Sequence, residues 1–453
     1  MTKESIQAVQ SVKEQNSFWQ PVSMNKTSGK EVQLTIDPSI TYQTWMGFGG
    51  AITEASAYTL DQLPEEKKDS ILKAYYDQNE GLGYTLGRLH IASCDFSLEN
   101  YDYIEENDET LKSFSLDREE KWVLPTLRRA QEIAGQPLTL VASPWSPSAW
   151  MKTNGERNNG GKLKREYYTL WAKYLARYVL EMRDKGFEID AITVQNEPAA
   201  TQVWDSCEYS AEEEAEMVKT LSDVFKEESV DSKIIIWDHN RDLIFERADA
   251  VLKDDEINPL VWGVGNHWYM SEDFEELSKV HDKYPDKHLI FTEGCIEGGV
   301  QLGAWHTGER YARNIIGDMS NWLEGFLDWN IVLNEQGGPN HVGNYCDAPV
   351  IVDTKSKDIH YNSSYYFIGH LSRYIRPGAV RIASTCTTSE LSTVSFRNTD
   401  NSIVTVLLNE TDASLDLEHS LNNESAAIHI PAHSITTVIK GQTQKRRQTC
   451  IHY

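Results

Sequence analysis

From Trp45 onward, short apolar, β-branched runs alternate with longer stretches whose apolar residues recur at helical spacing. The runs are WMGFGGAIT ending at Thr53, GYTLGRLHIAS at Ser93, LTLVASPW at Trp145, IDAITVQNE at Glu197, KIIIWDHN at Asn240, VWGVGNHWY at Tyr269, HLIFTEG at Gly294 and GFLDWNIVLN at Asn334. Helical patterns between them include EEKKDSILKAYY after Pro64, AEEEAEMVKTLSDVFKEE and GERYARNIIGDMSNWLEG. Eight strand-plus-helix units predict an α/β fold, a TIM (β/α)8 barrel. Past Arg376 and Pro377 the texture changes to AVRIAS, STVSFRN, SIVTVLLN, AAIHI and ITTVIK, short β runs with turn residues between them and no helical period. These predict an associated C-terminal antiparallel β-sandwich. An earlier run, EVQLTI before Asp37, has no helix after it and is expected to pair with that sandwich. The expected organisation is an N-terminal segment (1–42) with one strand joining the sandwich, a catalytic barrel (43–373), the sandwich (374–441) and a basic tail (442–453) around Lys445–Arg447.

Composition narrows the function. The chain has 453 residues, of which 40% are hydrophobic and 25% charged, enough for a large core under an ordinary polar surface. A net charge of -26 repels phosphate backbones and anionic headgroups, so nucleic acid is not an expected partner. Nowhere do 18 consecutive apolar residues occur, and the first twenty residues carry no apolar core of a signal segment; the expectation is a soluble cytoplasmic protein without membrane insertion. The six cysteines show no CxxC pair or metal spacing and are expected to be reduced thiols. His239 and His267 lack an HExxH or carboxylate-rich context and read as structural, so no metal is expected. The glycines of GFGG, Gly47 to Gly50, lack the spacing of a dinucleotide or Walker loop and are expected to serve a tight turn at the first strand end; no cofactor is implied.

In such a barrel the C-terminal strand ends build the active site. Here they carry Arg88, Asp95, Trp145, Asn196, Glu197, His239, His267, Trp268, Tyr269, Glu293 and Trp329. Glu197 and Glu293 each stand at the tail of an apolar run, on strands four and seven. Cleavage of a glycosidic bond needs two carboxyl groups, one to protonate the departing oxygen and one to attack the anomeric carbon or activate water. Trp145, Trp268 and Trp329 are candidates to stack on the apolar faces of a sugar, and could equally fill the barrel interior, while Asp and Asn side chains can hydrogen-bond its hydroxyls. The expected partner is a small glycoside or oligosaccharide, with a homo-oligomer possible.

The stretches GFGGAITEASA, LHIASCDFSLENYDY, ASPWSPSAWMKTNG, TVQNEPAA, NHWY, FTEGC and DWNIVLNEQGGPNHVGNYCDAPVIVD together resemble glycoside hydrolase family 30, in its glucosylceramidase branch. The resemblance runs from about Trp45 to the end of the sandwich. It implies a retaining, exo-acting β-glycosidase that releases terminal β-D-glucosyl residues, with Glu197 as acid/base and Glu293 as nucleophile. It also implies that Asp95, Trp145, Asn196, Trp329 and Asn344 hold the terminal sugar and that Arg88 and Tyr269 support the nucleophile; the segment after Glu197 departs from the family pattern by being shorter, and Trp204 is expected to fill the place on the rim where the leaving group sits. A β-xylosidase, a β-1,6-glucanase and a sugar-binding inactive barrel are the alternatives.

Overall fold

The computed structural model describes residues 6–25, 30–422 and 424–441, so the basic tail lies outside the described residues. Three strands precede the barrel: β1 (Ile6–Val12), β2 (Ser17–Val22) and β3 (Val32–Thr44). The barrel strands are β4 (Gly47–Ala51), β5 (Leu86–Ile91), β6 (Thr139–Pro144), β7 (Ala191–Thr193), β8 (Lys233–Asn240), β9 (Gly263–His267), β10 (His288–Glu293) and β11 (Gly325–Asn330). They form a closed barrel in chain order, β11 pairing back to β4, with every neighbouring pair parallel.

Alternation along the strands explains the interior. Leu86, Val141, Ala191, Ile235, Ile290 and Leu327, one from each of six strands, form one buried apolar cluster inside the barrel. Two residues further along, the same inward-facing rows become polar or aromatic: Arg88 after Leu86, Ser143 after Val141, Trp329 after Leu327. The apolar layer is therefore a floor, and the site stands on it. Outside the barrel, helices such as Ala211–Glu228 cover the strands; that helix starts with a reciprocal capping box between Ser210 and Glu213. The GFGG glycines lie inside β4 and not in a turn after it. A Cβ on Gly49 would collide with the Leu86 backbone of β5, so close strand contact is what requires glycine there.

The eighth apolar run divides in two: β11 ends at Asn330, and Leu333–Asn334 (β12) joins Val350–Val352 (β13) and Ile359–Tyr361 (β14) in a small sheet beside the barrel mouth. The C-terminal strands are β15 (Val380–Cys386), β16 (Leu391–Arg397), β17 (Ile403–Asn409), β18 (Leu415–Leu421), β19 (Glu424–Ile430) and β20 (Ser434–Lys440). They combine with the N-terminal strands in one nine-stranded sheet, ordered β19-β18-β3-β15-β16-β17-β20-β1-β2. Leu34, Ile382, Leu407, Leu417, Ile430 and Val438 from its two halves share one core, which makes it a sandwich. The N-terminal segment supplies three strands where the sequence pattern shows one, and β18 is also absent from that pattern.

Candidate active site

Arg88, on β5, is fully buried and is the hub of the site. Its Nη1 donates to Glu293 Oε2 at 2.6 Å; its Nη2 donates to Asp238 (2.9 and 3.0 Å), to Asn196 Oδ1 (2.9 Å) and to Ser143 Oγ (3.1 Å). A buried guanidinium needs this: two carboxylates compensate the charge that water no longer solvates, and removing one partner of such a pair costs about 3–5 kcal/mol. Tyr269 Oη donates to the other oxygen of Glu293, Oε1, at 2.9 Å.

Backbone departures aim these groups. Glu197 follows the short β7 with a left-handed backbone (φ 50°), and Trp237 and Asp238 are left-handed in succession (φ 68° and 46°). The β8–β9 register slips between Ile236 and His239, and the β9–β10 register slips between Phe291 and Glu293. Strict alternation would face only one of Asp238 and His239 inward; the bulge brings Asp238 to Arg88 and His239 to Glu197. Left-handed non-glycine residues cost roughly 1–3 kcal/mol each, and these three are held where their side chains meet the Arg88 hub and its neighbours.

His267 joins the two halves of the site. Its Nδ1 donates to Glu197 Oε1 at 3.1 Å and its Nε2 donates to Asp238 Oδ1 at 2.9 Å. Burial disfavours the imidazolium, but the Glu293 charge and the hydrogen bonds to Asp238 and Glu197 overcome it and push the pKa up to about 9. Burial likewise resists ionisation of Asp238, and the Arg88 charge and the His267 bond hold it well below the usual carboxylate range. The ligand-capable atoms of Glu197, His267 and Glu293 lie within 4.8 Å of one another. A doubly protonated His267 has no lone pair for a metal, so the trio suits proton chemistry. The two glutamates titrate as one system. Burial raises Glu293, against the charges of His267 and Arg88. Burial also acts upward on Glu197, but the hydrogen bond and the charge of His267 bring it down.

The remaining candidates line one wall. Asp95 Oδ2 accepts from Asn344 Nδ2 at 3.1 Å and from Asn340 Nδ2 at 3.3 Å, while burial raises its pKa to about 7. Trp145 and Trp329 stack on each other, with centroids 5.2 Å apart and planes at 18°. The Arg88 guanidinium lies 4.9 Å from the Trp145 centroid, so both indoles also serve to pack the hub. Trp204 and Tyr269 lie half-buried against the same cluster. Trp268 is not brought to the pocket. Alternation after His267 turns it outward, where its Nε1 donates to the Cys295 carbonyl and its ring packs on Phe291 and Tyr311. Asp238, Ser143 and Asn340 are members of the site that the strand-end pattern did not single out, and His267, read there as structural, bonds to both Glu197 and Asp238. The inward row of β6, Val141 then Ser143, carried the only readable signal for Ser143; nothing in the sequence marked the bulge that turns Asp238.

Residues 45–375 match the glycosyl hydrolase family 30 TIM-barrel domain and residues 378–438 its β-sandwich domain. Lysosomal acid glucosylceramidase of Mus musculus is 33% identical over 87% of this chain and 80% of its own length. Among solved structures, SrfJ from Salmonella typhimurium superposes with a TM-score of 0.92 at 34% identity, covering 97% of this chain and 100% of that one. An endo-β1,6-glucanase superposes with a TM-score of 0.86 at 28% identity over the same shares.

Proposed function

This chain belongs to glycoside hydrolase family 30 and is a glycoside hydrolase; on that premise we propose that it is a retaining, exo-acting β-glycosidase releasing terminal β-D-glucosyl residues from small glycosides. The observation that carries the reading is the approach of Glu197 and Glu293 to within 4.8 Å of one another at their nearest oxygens. Retaining enzymes keep their carboxyl groups about 5–5.5 Å apart, whereas inverting ones need about 6.5–9.5 Å for an intervening water.

Glu293 is the nucleophile in this reading. Arg88 and Tyr269 donate to both of its oxygens, which stabilises the carboxylate for attack and fixes its direction. Glu197 is the acid/base: Oε1 is occupied by His267, and Oε2 has no partner among the described residues and is left to carry the proton. The pair shares its protons as one titrating system, and attack by Glu293 requires the proton to stand on Glu197. Glu197 then protonates the glycosidic oxygen as Glu293 bonds to the anomeric carbon. Water, deprotonated by Glu197, releases the sugar. Asp95, Asn196 and Asn344 supply hydrogen bonds to the terminal sugar beside Trp145 and Trp329.

A β-1,6-glucanase is the second reading, supported by the likeness to an enzyme of that name. The first is supported by the greater identity to a lysosomal acid glucosylceramidase, 33% against 28%. Initial rates on aryl β-glucosides, xylosides, fucosides and galactosides, a short-chain glucosylceramide and a β-1,6-glucan test it. The β-glucoside is expected to be fastest of the aryl series; preference for the xyloside, or action on the internal bonds of the glucan alone, would replace this reading.

A further inference from the structure

His239 stands beside the acid, Glu197, with no task assigned to it. It is 8% exposed, its ring leans on Trp237 at 4.9 Å, and its Nδ1 is buried without a partner among the described residues. Its Nε2 lies 4.0 Å from Glu197 Oε1, beyond hydrogen-bond reach, and the nearer position on that oxygen is taken by His267. A hydrogen on Nδ1 would be a buried donor without an acceptor, the costlier kind of unsatisfied group, so the ring carries its hydrogen on Nε2. Burial disfavours the imidazolium and lowers the pKa against the pull of Glu197, which keeps the ring neutral. The result is a fixed N–H donor facing the space next to the acid, with nothing among the described residues to receive it.

The geometry points to His239 as a specificity-determining residue that donates from Nε2 to a hydroxyl of the leaving group, on the carbon next to the one bearing the glycosidic oxygen. An oxygen can sit about 3 Å from both Nε2 and the Glu197 carboxyl when these are 4.0 Å apart. A hydroxyl vicinal to the bond being broken reaches that point while the glycosidic oxygen meets Glu197 Oε2. The bulge at Trp237 and Asp238 has two products on this account: it turns Asp238 to Arg88 and His239 to the leaving group. The class of substrate is thereby narrowed to β-glycosides of vicinal diols and similarly substituted alcohols. This inference rests on the β-glycosidase reading above.

Ethyl β-glucoside and 2-hydroxyethyl β-glucoside test it, because both leaving groups need acid assistance and differ by the one hydroxyl. In the unsubstituted enzyme kcat/KM is expected to favour the hydroxyethyl compound by about three- to tenfold, the usual worth of one neutral hydrogen bond. His239→Ala is expected to bring that ratio close to one, and His239→Gln, whose amide can place a donor near the same point, to restore part of it. The ratio is taken on a single preparation, so a partly folded variant does not distort it. Equal ratios in the unsubstituted enzyme and His239→Ala would overturn the assignment, as would equal losses on both substrates, which would make His239 a positioning group for Glu197. If neither glucoside nor any aryl β-glucoside is hydrolysed, the β-glycosidase reading itself fails and the inference falls with it.

Discussion

Glu197 and Glu293 are chemically identical side chains that the fold places in different company. Glu293 receives a guanidinium and a phenol, and Glu197 receives an imidazolium on one oxygen and leaves the other open. Both positions were readable, because a glutamate ending a β-branched run is conspicuous at the mouth of a barrel. Their surroundings were less so. His267 reads as a satisfied core histidine, and the groups that satisfy it are the carboxylates of Glu197 and Asp238. Trp268 looked like a sugar platform, and one step of alternation sends it into the wall. Replacement Glu197→Gln is expected to slow hydrolysis of an alkyl β-glucoside or a disaccharide by about 10²–10⁴-fold, the range of general acid catalysis. An activated aryl glucoside is expected to lose less, since its leaving group needs little protonation. Steady-state rates on the two classes check this; undiminished hydrolysis of the disaccharide would remove Glu197 from the role of acid.

At the scale of elements, periodicity identified the strands and failed at their irregularities. The slips on β8 and β10 occur in runs whose composition is that of any buried strand, so nothing in WDHN or FTEG announces them. Strand β18, with LDLEHSL, was invisible because its polar positions outnumber the apolar ones that face the sandwich core. Strand β1 is specified by a partner at the other end of the chain, β20, a pairing that no local pattern encodes. The GFGG stretch shows the reverse case, a conspicuous motif whose cause is packing. A methyl group on Gly49 would be forced into the Leu86 carbonyl, separating β4 from β5. Gly49→Ala is expected to destabilise the protein by about 1–3 kcal/mol or more, in the manner of an overpacked core. Urea denaturation measures it; an unchanged midpoint would mean that the strands part without cost.

For the whole molecule, buried carboxyl groups set how stability depends on pH. Burial raises Asp328 to about 8, opposed by the Tyr311 hydroxyl, which donates to its Oδ1 at 2.6 Å. Asp347 is raised to about 6, also mainly by burial. A carboxyl whose folded pKa exceeds its unfolded value binds its proton more tightly when folded, so the stability it lends is present below about 4 and is lost as pH rises toward the folded value. The thermal midpoint is therefore expected to fall from about pH 4 toward pH 8 through these groups. Asp328→Asn, which keeps an acceptor for Tyr311 without a charge, is expected to flatten that fall; a slope unchanged by the substitution would show that Asp328 titrates normally. His267 acts in the same sense at higher pH: its contribution is complete below about 6.5 and disappears as pH rises through about 9.

The central claim is that Glu293 forms a bond to the sugar while Glu197 moves the proton, and the configuration of the first sugar released tests it most directly. Proton NMR during the first turnovers of an aryl β-glucoside, before mutarotation equilibrates the anomers, is expected to show β-glucose appearing first. Initial release of α-glucose would mean a single displacement by water and would contradict the assignment of Glu293 as nucleophile.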